Sequence, residues 1–138
     1  MQTSPSEAPL SIRMANESDK RFVHSATFMT IAKSTNSMNM KREDFATFAD
    51  RHIDSLIARS KVYIVYTPDV PDEVWSFAIL EGQTLHMVYT KPPYRGLKIA
   101  SGLVKDRATW YSHWCARAGD RFAQKLGISY NPFMLYKE

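Results

Sequence analysis

Arg95 and Lys98 stand three residues apart in Tyr94-Arg95-Gly96-Leu97-Lys98-Ile99-Ala100, directly after the proline pair Pro92-Pro93. Two cations around a glycine, just where a helix starts, can hold an anion. Backbone N–H groups at a helix start have no partner inside the helix, and the helix dipole favours negative charge there. The two side chains add full charges. The segment therefore reads as a cradle for a pyrophosphate. Its donors come from the backbone of Arg95, Gly96, Leu97, Lys98, Ile99 and Ala100.

A strand must precede this cradle and a helix must follow it. Leu85, Met87 and Tyr89 alternate with His86, Val88 and Thr90, the period of a strand. Pro92 and Pro93 stop it, because proline cannot donate to a sheet ladder. Ile99 and Leu103, with Ala100 and Val104, then repeat at helical spacing.

Upstream, Leu10 to Met14 alternates as a short strand. Asn16 and Asp19 are spaced as a capping box for a helix over 17–33, with Phe22, Ala26 and Met29 as its apolar positions. A second helix spans 41–59, with Phe45, Phe48, Ala49, Ile53, Leu56 and Ile57 on one face. Val62 to Tyr66 and Val74 to Leu80 are strands, separated by the turn TPDVPDE. Glu81-Gly82-Gln83 is a hairpin turn into the cradle strand, which completes an antiparallel meander. Downstream, Ala108 to Trp114 reads as a strand beside the cradle strand. Cys115 to Leu126 reads as a helix ended by Gly127, and Ile128 to Tyr136 as a closing strand or strand pair.

The length of 138 residues fits one domain over 10–138, behind a polar, flexible lead over 1–9. Apolar content of 44% and charged content of 23% are those of a soluble globular protein. Cys115 is the only cysteine, so no internal disulfide can form, and a reducing, cytoplasmic setting follows. No run approaches the roughly 18 apolar residues of a membrane span, so no membrane partner is expected. The four histidines show no metal-ligand spacing, so no metal is expected. Residues 91–125 carry a surplus of six positive charges, while the whole chain carries +4. An anionic ligand explains the surplus, as do solvated helix faces or nucleic acid. The aromatics Trp110, Tyr111, Trp114 and Phe122 interleave with it, but sheet core explains them more cheaply than base stacking.

V-Y-T-x-P-x-Y-R-G-x-x-I-A-x-x-L resembles the acetyl-CoA-binding motif of the GCN5-related N-acetyltransferases. The family pattern, Arg/Gln-x-x-Gly-x-Gly/Ala, falls on Arg95, Lys98 and Ala100, with lysine at the middle glycine. FAQKLGI, residues 122–128, resembles the family's late helix and turn. The resemblance covers roughly residues 10–136, and it extends to small acetyltransferase-like proteins of bacteriophages.

The resemblance implies a mixed α+β fold. Its central sheet is twisted and mostly antiparallel, with helices on both faces. It implies acetyl-CoA as acyl donor and an amine as acceptor. The strands flanking the cradle would splay, and the backbone of Val88, Tyr89 and Thr90 would bind the pantetheine arm. Backbone N–H near Tyr89 would hold the oxyanion. Acyl transfer also needs a base and an acid. His86, with Glu81 at the preceding turn, stands near the family's base position, though a strand histidine also serves as plain packing. The family's acid tyrosine falls on Ala123, leaving Tyr130, Tyr111 or a water as substitutes. Cys115 beside His113 is better read as structural. Lys98 and Ala123 keep open a non-catalytic protein of the same fold, acting through protein contacts in a host cytoplasm or a virion.

Overall fold

A computed structural model describes residues 10–33, 40–112 and 117–136. Side chains are described for all of these except 117–120 and 135–136. The chain order is β1 (Ser11–Met14), α1 (Glu17–Ala32), α2 (Arg42–Arg59), β2 (Lys61–Tyr66), β3 (Ser76–Glu81) and β4 (Thr84–Thr90). It continues with α3 (Ile99–Val104), β5 (Trp110–Tyr111), α4 (Arg117–Leu126) and β6 (Ser129–Tyr130). Short 3-10 turns lie at Pro92–Tyr94 and Pro132–Tyr136.

The six strands form one sheet in sequence order. β1 to β4 pair antiparallel, whereas β4 with β5 and β5 with β6 are parallel. Tight turns can join antiparallel strands, but parallel neighbours need a crossover. Here α3 and α4 supply the two crossovers. The mixed, mostly antiparallel sheet matches the fold expected from sequence.

Each face of the sheet carries its own core. Val62, Ile64, Phe77 and Ile79 pack with Val23, Phe22 and Ala26 of α1 and Ile57 of α2. Ala78, Leu80 and Leu85 pack with Ile99, Leu103 and Val104 of α3 and Ala123 of α4. Burial on both faces explains why β3 reads as a nearly unbroken apolar run. Asn16 and Asp19 form the expected capping box on α1.

Several boundaries and faces differ from the sequence reading. The buried positions of α1 are Asp19, Val23 and Thr27, and Met29 is exposed. Asp19 is buried because Arg13 of β1 pairs with it. Phe48 is also exposed, so the buried stripe of α2 is Ala49, Ile53 and Leu56. Glu81 belongs to β3, and the hairpin turn is Gly82-Gln83. β5 covers only Trp110–Tyr111, and the closing strand only Ser129–Tyr130 before a 3-10 turn. Proline at 132 removes the donor a longer strand needs. His113, Trp114 and Cys115 lie outside the described residues.

Candidate functional site

The site begins with a break in register. β3 and β4 pair as Ile79↔Met87 and then Leu80↔Leu85, which leaves His86 as an extra residue, a β-bulge. A bulge bends its strand and increases local twist. β5 pairs with β4 only at Thr84↔Trp110 and Leu85↔Tyr111. Ser112 N–H adds a bond to the Leu85 carbonyl, at 3.1 Å. β4 continues to Thr90, and among the described residues no strand pairs with it on that side beyond this point.

Strand alternation fixes which groups face this gap. Lys91 N–H donates to the Trp75 carbonyl at 3.0 Å, so the residues bonded to β3 are Lys91, Tyr89 and Met87 in turn. The N–H and C=O of Val88 and Thr90 therefore point into the gap. Tyr89 turns its backbone to β3, and its carbonyl also accepts from Ser76 Oγ at 2.7 Å. Its ring packs on Phe77 and Phe22. Of the three residues read from sequence as the arm-binding backbone, two thus face the gap.

The cradle closes the wide end. Tyr94 stacks flat on Trp75, with ring centroids 3.9 Å apart, and donates to Glu73, which pins the 3-10 turn to the sheet. Arg95 folds back over the end of β4. Its Nε donates to the Thr90 carbonyl at 2.8 Å, and its guanidinium lies 5.6 Å from the Tyr89 ring centre. Gly96 has φ of +88°, and Lys98 has φ of 62° and ψ of 22°. Both are left-handed, a region glycine enters freely and lysine does not. Lys98 therefore holds a backbone conformation that glycine would adopt without strain. Ile99 is buried and Leu97 packs on the α3-side core, while Lys98 and Arg95 stay exposed.

At the bulge His86 is enclosed by protein. Its side chain is 0% exposed. Nε2 lies 2.8 Å from Glu81 Oε1, and Nδ1 lies 2.5 Å from Ser112 Oγ. A carboxylate only accepts, so Nε2 carries the proton, and Ser112 donates to Nδ1. Arg59 Nε also donates to Glu81 Oε1, at 3.0 Å. Burial pushes the His86 pKa down, and the Arg59 charge pushes the same way. Glu81 pulls upward without reversing the shift. Burial alone would raise Glu81, but hydrogen bonds from His86 and Arg59 and the Arg59 charge hold it below its usual value. The ground state is a neutral imidazole against a carboxylate. Outside Glu81 lies an open pocket of about 380 Å³ whose lining includes Arg59, Lys61, Glu81 and Arg107.

The remaining candidates lie elsewhere. Tyr130, on β6, is 46% exposed and packs its ring 5.3 Å from that of Tyr111. Ala123 is 4% exposed within the α3-side core. Arg107, one of the clustered cations, is folded onto Tyr63 and the Leu103 carbonyl. Among the described residues no group of three or more His, Cys, Asp or Glu is placed to hold a metal ion, and no helix is long and apolar enough to cross a membrane.

Ser112 and Arg59 escaped the sequence reading. Glu81, read from sequence as part of the hairpin turn, instead ends β3, and His86 on β4 is its diagonal neighbour across the two-residue turn. Ser112 reaches them only through the crossover after β4, which carries no local signal.

No family model matches this chain, and no curated protein matches it. Solved structures do. A predicted acetyltransferase from Clostridium acetobutylicum, determined with acetyl-CoA, superposes with a TM-score of 0.59 at 16% identity, covering 87% of this chain and 90% of that one. The chain shares the fold of that acetyltransferase. Apo YjaB from Escherichia coli gives a TM-score of 0.50 at 17% identity over 70% of this chain. The chain spans 62% of the length of YjaB. A GCN5-related N-acetyltransferase from Rhodopseudomonas palustris gives 0.49 at 15% identity, covering 86% of this chain and 81% of that one.

Proposed function

We propose that this protein is an acetyl-CoA-dependent N-acyltransferase that acetylates an amine. One observation carries the reading. Among the described residues β4 has no partner on the β5 side beyond Leu85, and the backbone of Val88 and Thr90 turns to that side, toward the Arg95–Ala100 turn. An extended amide-bearing arm can pair with strand backbone, as a further strand does. The diphosphate at its end meets Arg95, Lys98 and the backbone between them. Gly96 and Lys98 fit this role, because their left-handed backbone turns successive N–H groups to one side.

Acetyl-CoA brings the activated acyl group. The Val88 N–H faces the gap and is preorganised for the oxyanion of the tetrahedral intermediate. Neutral His86, held by Glu81, supplies the base near the apex. The acceptor is an amine, whose neutral form attacks. Glu73 and Glu81, acidic residues that could have drawn a cationic acceptor, are engaged by Tyr94 and by His86 with Arg59.

Calorimetric titration with acetyl-CoA tests the reading. The expected result is one site per chain, weakened by added salt. Absence of binding at millimolar ligand sinks it.

A second reading rests on Ala123, whose methyl group is packed in the core where the family carries its acid tyrosine. The protein would then be a non-catalytic member of the fold, an accessory or virion protein working through protein contacts. An acetylated amine found by mass spectrometry after incubation with acetyl-CoA eliminates that reading.

A further inference from the structure

The pocket outside Glu81 lies at the end of β4 away from the Arg95–Ala100 turn. Its walls come from the end of α2, the start of β2, the β3–β4 turn and the loop after α3. The seven residues of β4 separate it from the Arg95–Ala100 turn, roughly 20 Å at the rise of a strand. At about 380 Å³ it falls in the size range of small-molecule sites.

Three cations meet there. Arg59, Lys61 and Arg107 line the pocket with one carboxylate, Glu81, so its wall carries a surplus of two positive charges. Like charges gathered around a concavity repel one another, and the walls of a cleft focus their field on whatever enters. Helix ends explain part of the gathering, because cations favour a helix C-terminus. Arg59 belongs to the last turn of α2, and Arg107 donates to the Leu103 carbonyl of α3 at 3.0 Å. Lys61 stands outside both helices. It opens β2, is exposed, and makes no ion pair with any described residue.

Both guanidinium groups are fixed in place. Arg107 lies over Tyr63, 5.1 Å from the ring centre, while Nη1 holds the Leu103 carbonyl. That bond leaves further N–H donors of Arg107 for a ligand. Arg59 donates to Glu81 Oε1 at 3.0 Å and to Ser55 Oγ at 3.3 Å. A planar fork already held in position loses little freedom on binding, and it matches the oxygens of a phosphate or carboxylate.

We infer that this pocket is a second anion site, which takes a small metabolite through a phosphate or carboxylate group. Arg107 and Lys61 share the oxyanion, and the carbon body rests against Tyr63 and Ala58. Arg59 stays with Glu81 and adds its charge without giving up that bond. The inference does not rest on the acyltransferase reading, in which neither Arg107 nor Lys61 has a part.

The test uses the full chain, isotope-labelled and followed by two-dimensional NMR at low salt. Inorganic phosphate and succinate are titrated in separate arms. The amide of Gly82, in the β3–β4 turn, reports the pocket, and the amide of Gly96 reports the Arg95–Ala100 turn. The Gly82 shift is expected to saturate with at least one probe, at a Kd of about 1 mM or tighter. The tighter probe names the group that the natural ligand carries. Lys61→Gln and Arg107→Gln are each expected to weaken the Gly82 curve roughly threefold or more, as loss of a charge-assisted contact does, and to leave the Gly96 curve as in wild type. Lys61→Gln keeps the test decisive if Arg107→Gln disturbs folding, because Lys61 is exposed and unpaired. A Gly82 shift that climbs without saturating up to roughly ten times that Kd overturns the proposal. So does a curve that Lys61→Gln leaves unmoved. Saturation at Gly96 with Gly82 still also overturns it, while leaving the acyltransferase reading intact.

Discussion

His86 Nε2 lies 2.8 Å from Glu81 Oε1 across the two-residue turn of the β3–β4 hairpin, and the β-bulge of β4 falls at the same histidine. Diagonal neighbours on one face of a hairpin can meet in this way. The buried imidazole and the break in the β3–β4 register therefore share one residue.

The pair also ties stability to pH. The folded-state pKa of His86 is lowered from 6.5, so the unfolded chain binds the proton more readily. Stability is then complete above about pH 6.5 and falls as pH drops below it. Glu81, lowered from 4.5, has the same sign in a lower window, since its contribution is lost as pH falls below about 4.5. His52 of α2 adds to the upper window. It too is lowered, by burial and by the charges of Arg59 and His86. Thermal unfolding between pH 8 and pH 5 should show a falling Tm. His86→Gln should flatten that slope, and His86→Gln with His52→Gln should flatten it further. A slope untouched by both substitutions contradicts the buried neutral imidazole.

Lys98 carries a second prediction. A left-handed conformation costs a residue with Cβ roughly 1–2 kcal/mol, which glycine avoids. Glycine is in turn penalised by its freer unfolded chain, so Lys98→Gly should gain about 0.5–1 kcal/mol. Lys98→Ala keeps the strain and should gain nothing. Acetyl-CoA affinity separates backbone from charge, because both variants lose the ammonium. Equal affinities in the two, with a weaker salt dependence than wild type, assign the role of Lys98 to its charge. Denaturant unfolding and titration at two salt concentrations supply the comparison.

The order of elements and the sheet core were readable because their signals are local and redundant. Alternation in Leu85–Tyr89, the prolines at 92 and 93 and the capping box at Asn16 and Asp19 each mark an element without help from the rest of the fold. The exposed Phe48 and Met29 were misread because apolar spacing cannot say which of two adjacent stripes meets the sheet. The turn after β4 was readable for the same reason as the strand, since its prolines and glycine are contiguous. The bulge was not, because a bulge is a property of two strands and only one register of their pairing reveals it. Ser112 was least readable of all. A serine after two aromatic residues says nothing until the crossover lays it against Leu85.

Ala123 offers a test of the packing on the α3 side. Its methyl group is buried with Leu103, Val104 and Leu85 in the core beneath the cradle helix. Restoring a tyrosine there adds a ring where neighbours already touch, and overpacking typically costs about 1–3 kcal/mol. Ala123→Tyr should therefore lower stability by that amount in chemical denaturation and should not raise thiol release. An increase in turnover with stability unchanged would place the position at the gap instead of in the core.

Arg95 makes the sharpest separation between binding and folding. It is exposed, yet its Nε holds the Thr90 carbonyl at 2.8 Å and its plane lies over Tyr89, so it stiffens the mouth of the gap while presenting charge to it. Surface arginines contribute little to stability, so Arg95→Ala should change the unfolding free energy by less than about 1 kcal/mol. A charge-assisted contact to a phosphate is worth more, and its loss should weaken acetyl-CoA roughly tenfold, or about 1.4 kcal/mol. Arg95→Lys restores the charge but not the planar fork that holds Thr90, and should recover only part of the affinity. Dephospho-CoA, which lacks the 3′-phosphate but keeps the diphosphate, should show the same loss in Arg95→Ala. If it shows none, Arg95 meets the ribose phosphate, and the cradle lies at a different point along the ligand.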